Sequence, residues 1–339
     1  MREFSGYMKG INIGGWLSQR DNSTKEFRDS FITIDDIRTL KKWGLDHVRL
    51  PVDHDILRTE DGYSHIDDCI GWCREEGLKM ILDLHKADGY SFCPLDKDDK
   101  RIFFHDKEMQ EKFYSIWDEI SSRYAKDSDI VAFELLNEIV YADVKDEWND
   151  IASKTIEVIR KNAPDSWIVF GGVLYNSVSA VPWLCDVNDR NVVYTFHCYE
   201  PMIFTHQGAY WVENMPEDFR ITYPADLDDY RKASKELSQE LAGVIYDKRL
   251  KNGFDPDYFA LIFEEAVKVC EERDIPLYCG EYGVIELADR KDTVRWLRDI
   301  NTAFRRFNIG RAYWNYKEMD FGIAGESTAD IIDDIVSYL

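Results

Sequence analysis

Eight short runs of the chain are apolar on both sides of an extended pleat: residues 11–13, 47–50, 80–84, 130–136, 167–170, 192–196, 277–279 and 311–314. Strands buried on both faces read this way, because helices cover a parallel sheet above and below. Between the runs lie stretches of helical periodicity, at 34–43, 66–76, 109–124, 148–162, 258–273, 293–307 and 331–339. Two of these carry their own end signals. The first starts after Thr33, an N-cap, and stops at Gly44, and the second stops at Gly77; glycine there takes the left-handed turn that closes a helix. Strand and helix alternate along the whole chain, which predicts an α/β fold, a (β/α)8 TIM barrel forming one domain over residues 1–339. A doubly wound sheet is the competing architecture, but there is no glycine-rich dinucleotide turn and no P-loop.

One interval breaks the rhythm. About 80 residues separate Phe196 from Leu277, where a βα unit needs roughly 30. The stretch from about 203 to 254 holds Phe204, Tyr210, Trp211, Phe219, Tyr223 and Tyr230. It is expected to be a subdomain inserted between strand six and helix six, at the top face of the barrel. It either walls or covers a site there, or merely stabilises the fold.

Charge narrows the partners. The 339 residues include 42 Lys and Arg against 65 Asp and Glu, a formal charge of -23. Such a surface repels nucleic acid and anionic membranes, and no apolar run is long enough to span a bilayer. A neutral substrate meets no such penalty. Aromatic residues make up 14% of the chain, with 10 Trp, either as core filling or as platforms for sugar rings. The seven cysteines (Cys69, Cys73, Cys93, Cys185, Cys198, Cys270 and Cys279) match no zinc spacing, and an odd count suggests free thiols in a reducing or anaerobic setting. The opening residues lack the apolar core of a secretory leader. The expectation is a cytoplasmic chain as written, or a secreted one if a leader has been trimmed away. A monomer without cofactor or metal is expected, since no metal, nucleotide or flavin signature appears.

In a barrel of this kind the chemistry sits at the C-terminal ends of the strands. Strand four runs into Asn137-Glu138, with Glu134 deeper, as a buried paired carboxylate. Strand seven runs into Glu281, flanked by Gly280 and, two residues on, Gly283. Two carboxylates converging across a barrel mouth suit glycosidic cleavage, one protonating the leaving oxygen and one attacking the anomeric carbon. Arg49 closes strand two, His85 strand three, His197 and Tyr199 strand six, and Trp314 strand eight. Each has a plain structural reading: an ion pair for Arg49, core histidines for His85 and His197, packing for Tyr199 and Trp314. All of them falling at strand ends is much harder to explain that way.

This set of residues resembles glycoside hydrolase family 5, a retaining cellulase-type family, and the resemblance covers essentially the whole chain. The stretches Gly10-Ile11-Asn12-Ile13-Gly14-Gly15-Trp16, His47-Val48-Arg49-Leu50-Pro51 and Trp314-Asn315-Tyr316-Lys317 are similar to the clostridial endoglucanase C type within it, which also has a long insertion after strand six. The resemblance implies Glu138 as acid/base and Glu281 as nucleophile. It implies that Asn137 holds the 2-hydroxyl of the sugar being cleaved, that Tyr199 bonds the nucleophile and that Arg49 holds its charge. His85 and His197 would line the cleavage subsite, and Trp314 would be its stacking floor. Two positions depart from the pattern: Ile139 stands where many members have proline, and Lys86 where relatives often have a second histidine.

The implied activity is a retaining endo-β-1,4-glucanase acting on β-glucan polysaccharide or oligosaccharide. A β-1,3-glucanase is an alternative, since residues 12–17 also resemble fungal enzymes of that kind. A mannanase, a xylanase and a catalytically weak sugar-binding barrel complete the field. The expected geometry places the two carboxyl groups about 5–5.5 Å apart. The expected electrostatics lower the pKa of Glu281, through Arg49 and Tyr199, and raise that of Glu138.

Overall fold

In a computed structural model of the chain, the eight apolar runs become eight parallel strands that close into a barrel in sequence order. The structure describes residues 1–20, 23–96, 101–235, 237, 250, 253–326 and 328–339. The strands are β1 (Lys9–Asn12), β2 (His47–Asp53), β3 (Lys79–Lys86), β4 (Val131–Glu134), β5 (Ile168–Gly171), β6 (Val192–His197), β7 (Leu277–Tyr282) and β8 (Gly310–Tyr313). No helix among the described residues is long and apolar enough to cross a membrane.

The seven helical patterns form helices, at Ile34–Lys42, Gly62–Glu76, Lys107–Tyr124, Lys145–Asn162, Pro256–Arg273, Arg290–Phe307 and Ile332–Tyr338. Thr33 and Asp36 build a capping box at the first, and Gly77 closes the second at φ 67. Behind β5 a 3₁₀ turn, Val178–Trp183, stands where a regular helix would, which is why the sequence shows no helical period there.

Side chains that alternate inward fill the barrel in layers. Its lower end is plugged by Phe4, Tyr7, Ile81, Ala132, Val169, Val193, Tyr278 and Ala312, a cluster separate from the larger core between strands and helices. Two positions further along the strands, the inward residues are polar and buried: Asn12, Arg49, Asp83 and Glu134. The apolar plug seals the barrel, so this polar layer is reached only from the C-terminal end.

All eight C-terminal strand ends shift from the expected limits, and two of the shifts matter for the site. The fourth strand stops at Glu134 rather than continuing to residue 136. Asn137 and Glu138 therefore lie on the loop above, pinned where the Asn137 N–H donates to the Leu84 carbonyl at 3.0 Å. The seventh strand runs on to Tyr282. Phe196 pairs with Cys279 but His197 with Glu281, so Gly280 is the extra residue of a bulge. Bulges re-aim side chains, and this one sets Glu281 beside His197.

Within the interval after β6, the described residues pack in two places. Ala209 joins Trp314, Ile285 and Phe321 at the barrel mouth, with Tyr199, Trp211 and Val212 against them. Tyr223 and Tyr230 are instead fully buried on the outside of the barrel. There the Tyr223 N–H and hydroxyl donate to Asp292 and Asp299 of the helix Arg290–Phe307, at 3.0 and 3.2 Å. Residues 236, 238–249, 251 and 252 of the expected insertion lie outside the described residues.

Candidate active site

Arg49 organises the site from below. It is fully buried, and all five of its N–H groups are used. Nε and one Nη donate to the two oxygens of Glu134, at 2.6 and 3.0 Å. The other donations go to Asn12 at 2.9 Å, Asn137 at 2.8 Å and Glu281 at 2.8 Å. Asp83 lies 3.1 Å from the same guanidinium. One cation thus faces three carboxylates. Burial pushes Asp83 and Glu134 up to about 7 even with Arg49 pulling the other way.

The two strand-end glutamates meet across His197. Its Nδ1 is 2.8 Å from Glu138 Oε1 and 3.6 Å from Glu281 Oε2. The nearest donor atoms of Glu138, His197 and Glu281 all lie within 4.8 Å of one another. The Tyr199 hydroxyl donates to Glu281 Oε2 at 2.9 Å. Glu138 is held through its backbone. The Tyr90 hydroxyl donates to its carbonyl and accepts the Val140 N–H at 2.9 Å.

The environments of the two glutamates are unequal. Burial raises Glu138 well above the usual carboxylate range, and the neighbouring charge of Glu281 adds to it. Burial also raises Glu281, but Arg49 and the Tyr199 hydroxyl hold it down. The expected net lowering of Glu281 is therefore not found, because desolvation outweighs its partners; the order of the pair stands. His85 is pushed down to about 3 by burial and by Arg49, and the same two causes push His197 well down, so both rings are neutral.

Three buried polar atoms at the mouth have no hydrogen-bond partner among the described residues: Asn137 Nδ2, His85 Nε2 and His197 Nε2. Leaving such groups unpaired is costly, and sugar hydroxyls are partners of the right chemistry. The Trp314 ring lies parallel to that of His85, centroids 5.7 Å apart. Gly14 makes room for it, since a Cβ there would stand 2.8 Å from Trp314 Cη2. Gly280 does the same for His197, whose Nε2 would be 3.0 Å from an added Cβ.

A metal fits poorly between the glutamates. The Arg49 guanidinium already sits on Glu281, a fixed positive charge that would repel a cation. Among the described residues, the other cluster of that composition, Asp29, Asp61 and His65, is engaged by Arg28, which grips Asp61 at 2.7 Å.

Comparison with known proteins places this geometry. Residues 10–320 match the family described as Cellulase (glycosyl hydrolase family 5). The chain belongs to glycosyl hydrolase family 5. It is 36% identical to Endoglucanase C of Acetivibrio thermocellus over 98% of both chains. It is 38% identical to Cellodextrinase A of Ruminococcus flavefaciens, over 92% of this chain and 86% of that one. Among solved structures, the cellulose synthase subunit Z of Clostridioides difficile superposes with a TM-score of 0.76 at 26% identity, covering 98% of this chain and 99% of that one.

All eight residues singled out in the sequence thus gather at one mouth of this family 5 barrel. Two parts of the network were not among them. Asn12 receives Arg49 and donates its amide to the Gly280 carbonyl at 2.9 Å. Asp83 lies 2.5 Å from His85 Nδ1. Asp83 had a signal: with His85 it is polar at alternate positions of an otherwise apolar strand, the mark of an inward face. Of the two family departures, Lys86 lies 3.2 Å from Asp96 Oδ2, and Ile139 is buried in the core.

Proposed function

We propose that the chain is a retaining endo-β-1,4-glucanase, with Glu281 as nucleophile and Glu138 as acid/base. One observation carries the reading: two carboxylates with oxygens within 4.8 Å of each other, in environments that split their proton affinities. Retaining enzymes hold the pair about 5–5.5 Å apart, and inverting ones need roughly 6.5–9.5 Å to admit a water between them. Family membership and the two endoglucanase and cellodextrinase relatives supply the β-1,4-glucan.

In the first step a Glu281 oxygen attacks the anomeric carbon while protonated Glu138 gives its proton to the departing glycosidic oxygen. The C–O bond to the leaving sugar breaks and an ester to Glu281 forms. In the second step Glu138, now a carboxylate, takes a proton from water, whose oxygen displaces Glu281 from the same carbon. Asn137 Nδ2 is the donor for the 2-hydroxyl, His85 and His197 line the subsite, and Trp314 is its floor. Residues of about 203–254 we assign to an inserted subdomain whose first part, through Ala209 and Trp211, extends the aromatic wall.

The test is proton NMR of the first product formed from a soluble cello-oligosaccharide, together with initial rates on cellulose-like glucan, β-1,3-glucan, mannan and xylan. Initial β-anomer and fastest cleavage of the β-1,4-glucan are expected. Initial α-anomer, or preference for another backbone, overturns the corresponding half of the reading.

A further inference from the structure

The loop after β8 holds three residues in the left-handed backbone region: Glu318 at φ 50, Met319 at φ 54 and Phe321 at φ 69. None is a glycine. A bulky side chain pays for that region, and such strain persists only where the surroundings enforce it. At Phe321 the enforcement is visible. Its N–H donates to Glu286 Oε2 at 2.9 Å, and its carbonyl accepts the Asn315 N–H at 3.3 Å. The side chain placed in this way is buried.

What the ring meets is the tyrosine that donates to Glu281. Phe321 stands edge-on to Tyr199, with centroids 5.6 Å and planes 62° apart. His206 meets the same tyrosine at 5.0 Å and 81°, and Phe321 and His206 lie 5.1 Å from each other. The three rings close a triangle, every side of it in the edge-to-face geometry that aromatic pairs favour. Phe321 reaches it from the loop after β8 and His206 from the segment after β6.

The backbone of Tyr199 is held as well. The Thr205 hydroxyl donates to its carbonyl at 2.5 Å and lies 3.0 Å from His206 Nδ1. That hydroxyl has one hydrogen, already given to Tyr199, so His206 Nδ1 supplies the hydrogen of the second contact. Thr205 is fixed in turn, its carbonyl accepting the Ile285 N–H at 2.9 Å. Burial pushes His206 down to about 3, so the ring brings no charge.

A hydrogen bond weakens steeply as it bends, and the Tyr199 hydroxyl serves Glu281 only while its ring is held in place. We propose that Phe321 is a positioning residue for the reaction: with His206 it clamps the Tyr199 ring so that the hydroxyl meets Glu281 Oε2. The strain then has a use, since it sets the clamp before substrate arrives and leaves nothing there to be ordered on binding. The other charged or titratable groups facing Glu281 are Arg49 from β2, Asp83 and His85 from β3, Glu138 from the loop after β4 and His197 from β6. Cys279 of β7 faces Tyr199 as a neutral thiol. The variants below leave all of them in place.

The assignment rests on the glucanase reading, in which Glu281 attacks as a carboxylate. The experiment is the pH profile of kcat/KM on an aryl cellobioside, with Tm on the same preparations. The variants are Phe321→Ala, Phe321→Leu, Tyr199→Phe and the double variant of Tyr199→Phe with Phe321→Ala. Tyr199→Phe removes a donor that favours the charged form of Glu281, so its acid limb should move up by about one unit, the size of one hydrogen bond to a charged group. Phe321→Ala should move the limb the same way by about half a unit or more and lower the plateau about tenfold. Phe321→Leu keeps apolar bulk against the tyrosine and should recover most of both. In the Tyr199→Phe background, Phe321→Ala should move the limb no further, because the two residues act through one bond. Phe321→Gly removes the same ring while relieving the strain at φ 69, and it carries the test if the alanine variant does not fold. A limb that stays in place while Tm falls, or a second shift of equal size in the Tyr199→Phe background, overturns the assignment. A parent inert toward cello-oligosaccharides and the aryl cellobioside alike removes the glucanase reading alone. The clamp is then judged by following the Glu281 carboxyl titration by NMR in the same variants, where an unchanged titration overturns it.

Discussion

Replacing Arg49 by Met is the sharpest perturbation of this site, because one side chain supports both the fold and the proposed nucleophile, Glu281. The substitution keeps a long apolar stem and removes five donated hydrogen bonds, to Glu134, Asn12, Asn137 and Glu281. Removing one partner of a buried ion pair costs about 3–5 kcal/mol. The low end is expected below neutral pH. Asp83 and Glu134 sit at about 7 even with Arg49 present, so without it they take up protons instead of standing as bare charges. The rate should fall further than stability explains. Arg49 is the largest influence holding the Glu281 carboxyl down, and each pKa unit represents about 1.36 kcal/mol. The acid limb of kcat/KM is expected to move up by about one unit or more, and the plateau to drop by at least about 10²-fold, as for one lost contact in a preorganised site. The assay is a pH–rate profile on an aryl cellobioside, with urea unfolding on the same preparation. Arg49→Lys keeps the charge but lacks the five-donor fork. It should return the acid limb toward the parent without returning the stability. A variant that loses stability while its acid limb stays in place would refute the argument and leave Arg49 as a brace.

The other predictions are simpler. Glu281→Gln should abolish formation of the glycosyl-enzyme, whereas Glu138→Gln should spare the first step only for good leaving groups, since acid assistance matters when the departing oxygen is basic; equal responses across a leaving-group series would undo the roles. Gly14→Ala places a Cβ 2.8 Å from Trp314 Cη2, so the ring must move, and kcat/KM on cello-oligosaccharides should fall roughly ten- to a hundredfold; unchanged kinetics would show that the ring is not the sugar's floor. Asp83 has a folded pKa raised to about 7, against about 3.9 in an unfolded chain. The folded chain therefore binds the extra proton, and the stability this contributes is full below about pH 4 and lost as pH rises through about 7. Asp83→Asn should shrink that fall, as read by urea unfolding at the two ends of the range.

Much of this could be read from the chain because the barrel ties function to position. Runs that are apolar on both faces mark strands, and the residue that ends each run must face the mouth, so Arg49, Glu138 and Glu281 announce themselves by where the pattern breaks. What escaped was set by contacts rather than by pattern. Asn12 ends β1 as a small amide that composition does not distinguish, and its use appears only when Arg49 arrives from β2 and Gly280 from β7. The pKa of Glu281 was placed too low, because its partners are visible in the sequence and its burial is not. On the loop after β5, Leu174 and Tyr175 take φ 56 and 54 although neither is a glycine, so the letters at those two positions signal no left-handed turn.

On the proposed roles, the electrostatics also explain how one glutamate would serve as acid and then as base. In the resting site the raised affinity of Glu138 has three sources: burial first, the charge of Glu281 second, and that of Asp83 after it. Arg49 meets three carboxylates with one positive charge, and the Tyr199 hydroxyl tips the balance by donating to Glu281 alone. Glu281 therefore holds the negative charge and Glu138 the proton, as the first step requires. Formation of the glycosyl ester consumes that negative charge. The second source of the raised affinity then vanishes, while Arg49 remains to favour a carboxylate at Glu138. The proton affinity of Glu138 drops when its proton has just been given away, and the residue is left as the base that the second step needs. Breakdown of the ester restores the charge on Glu281, and with it the affinity that reloads Glu138. The cycle needs no outside proton relay: the bond made and broken at Glu281 is itself the switch.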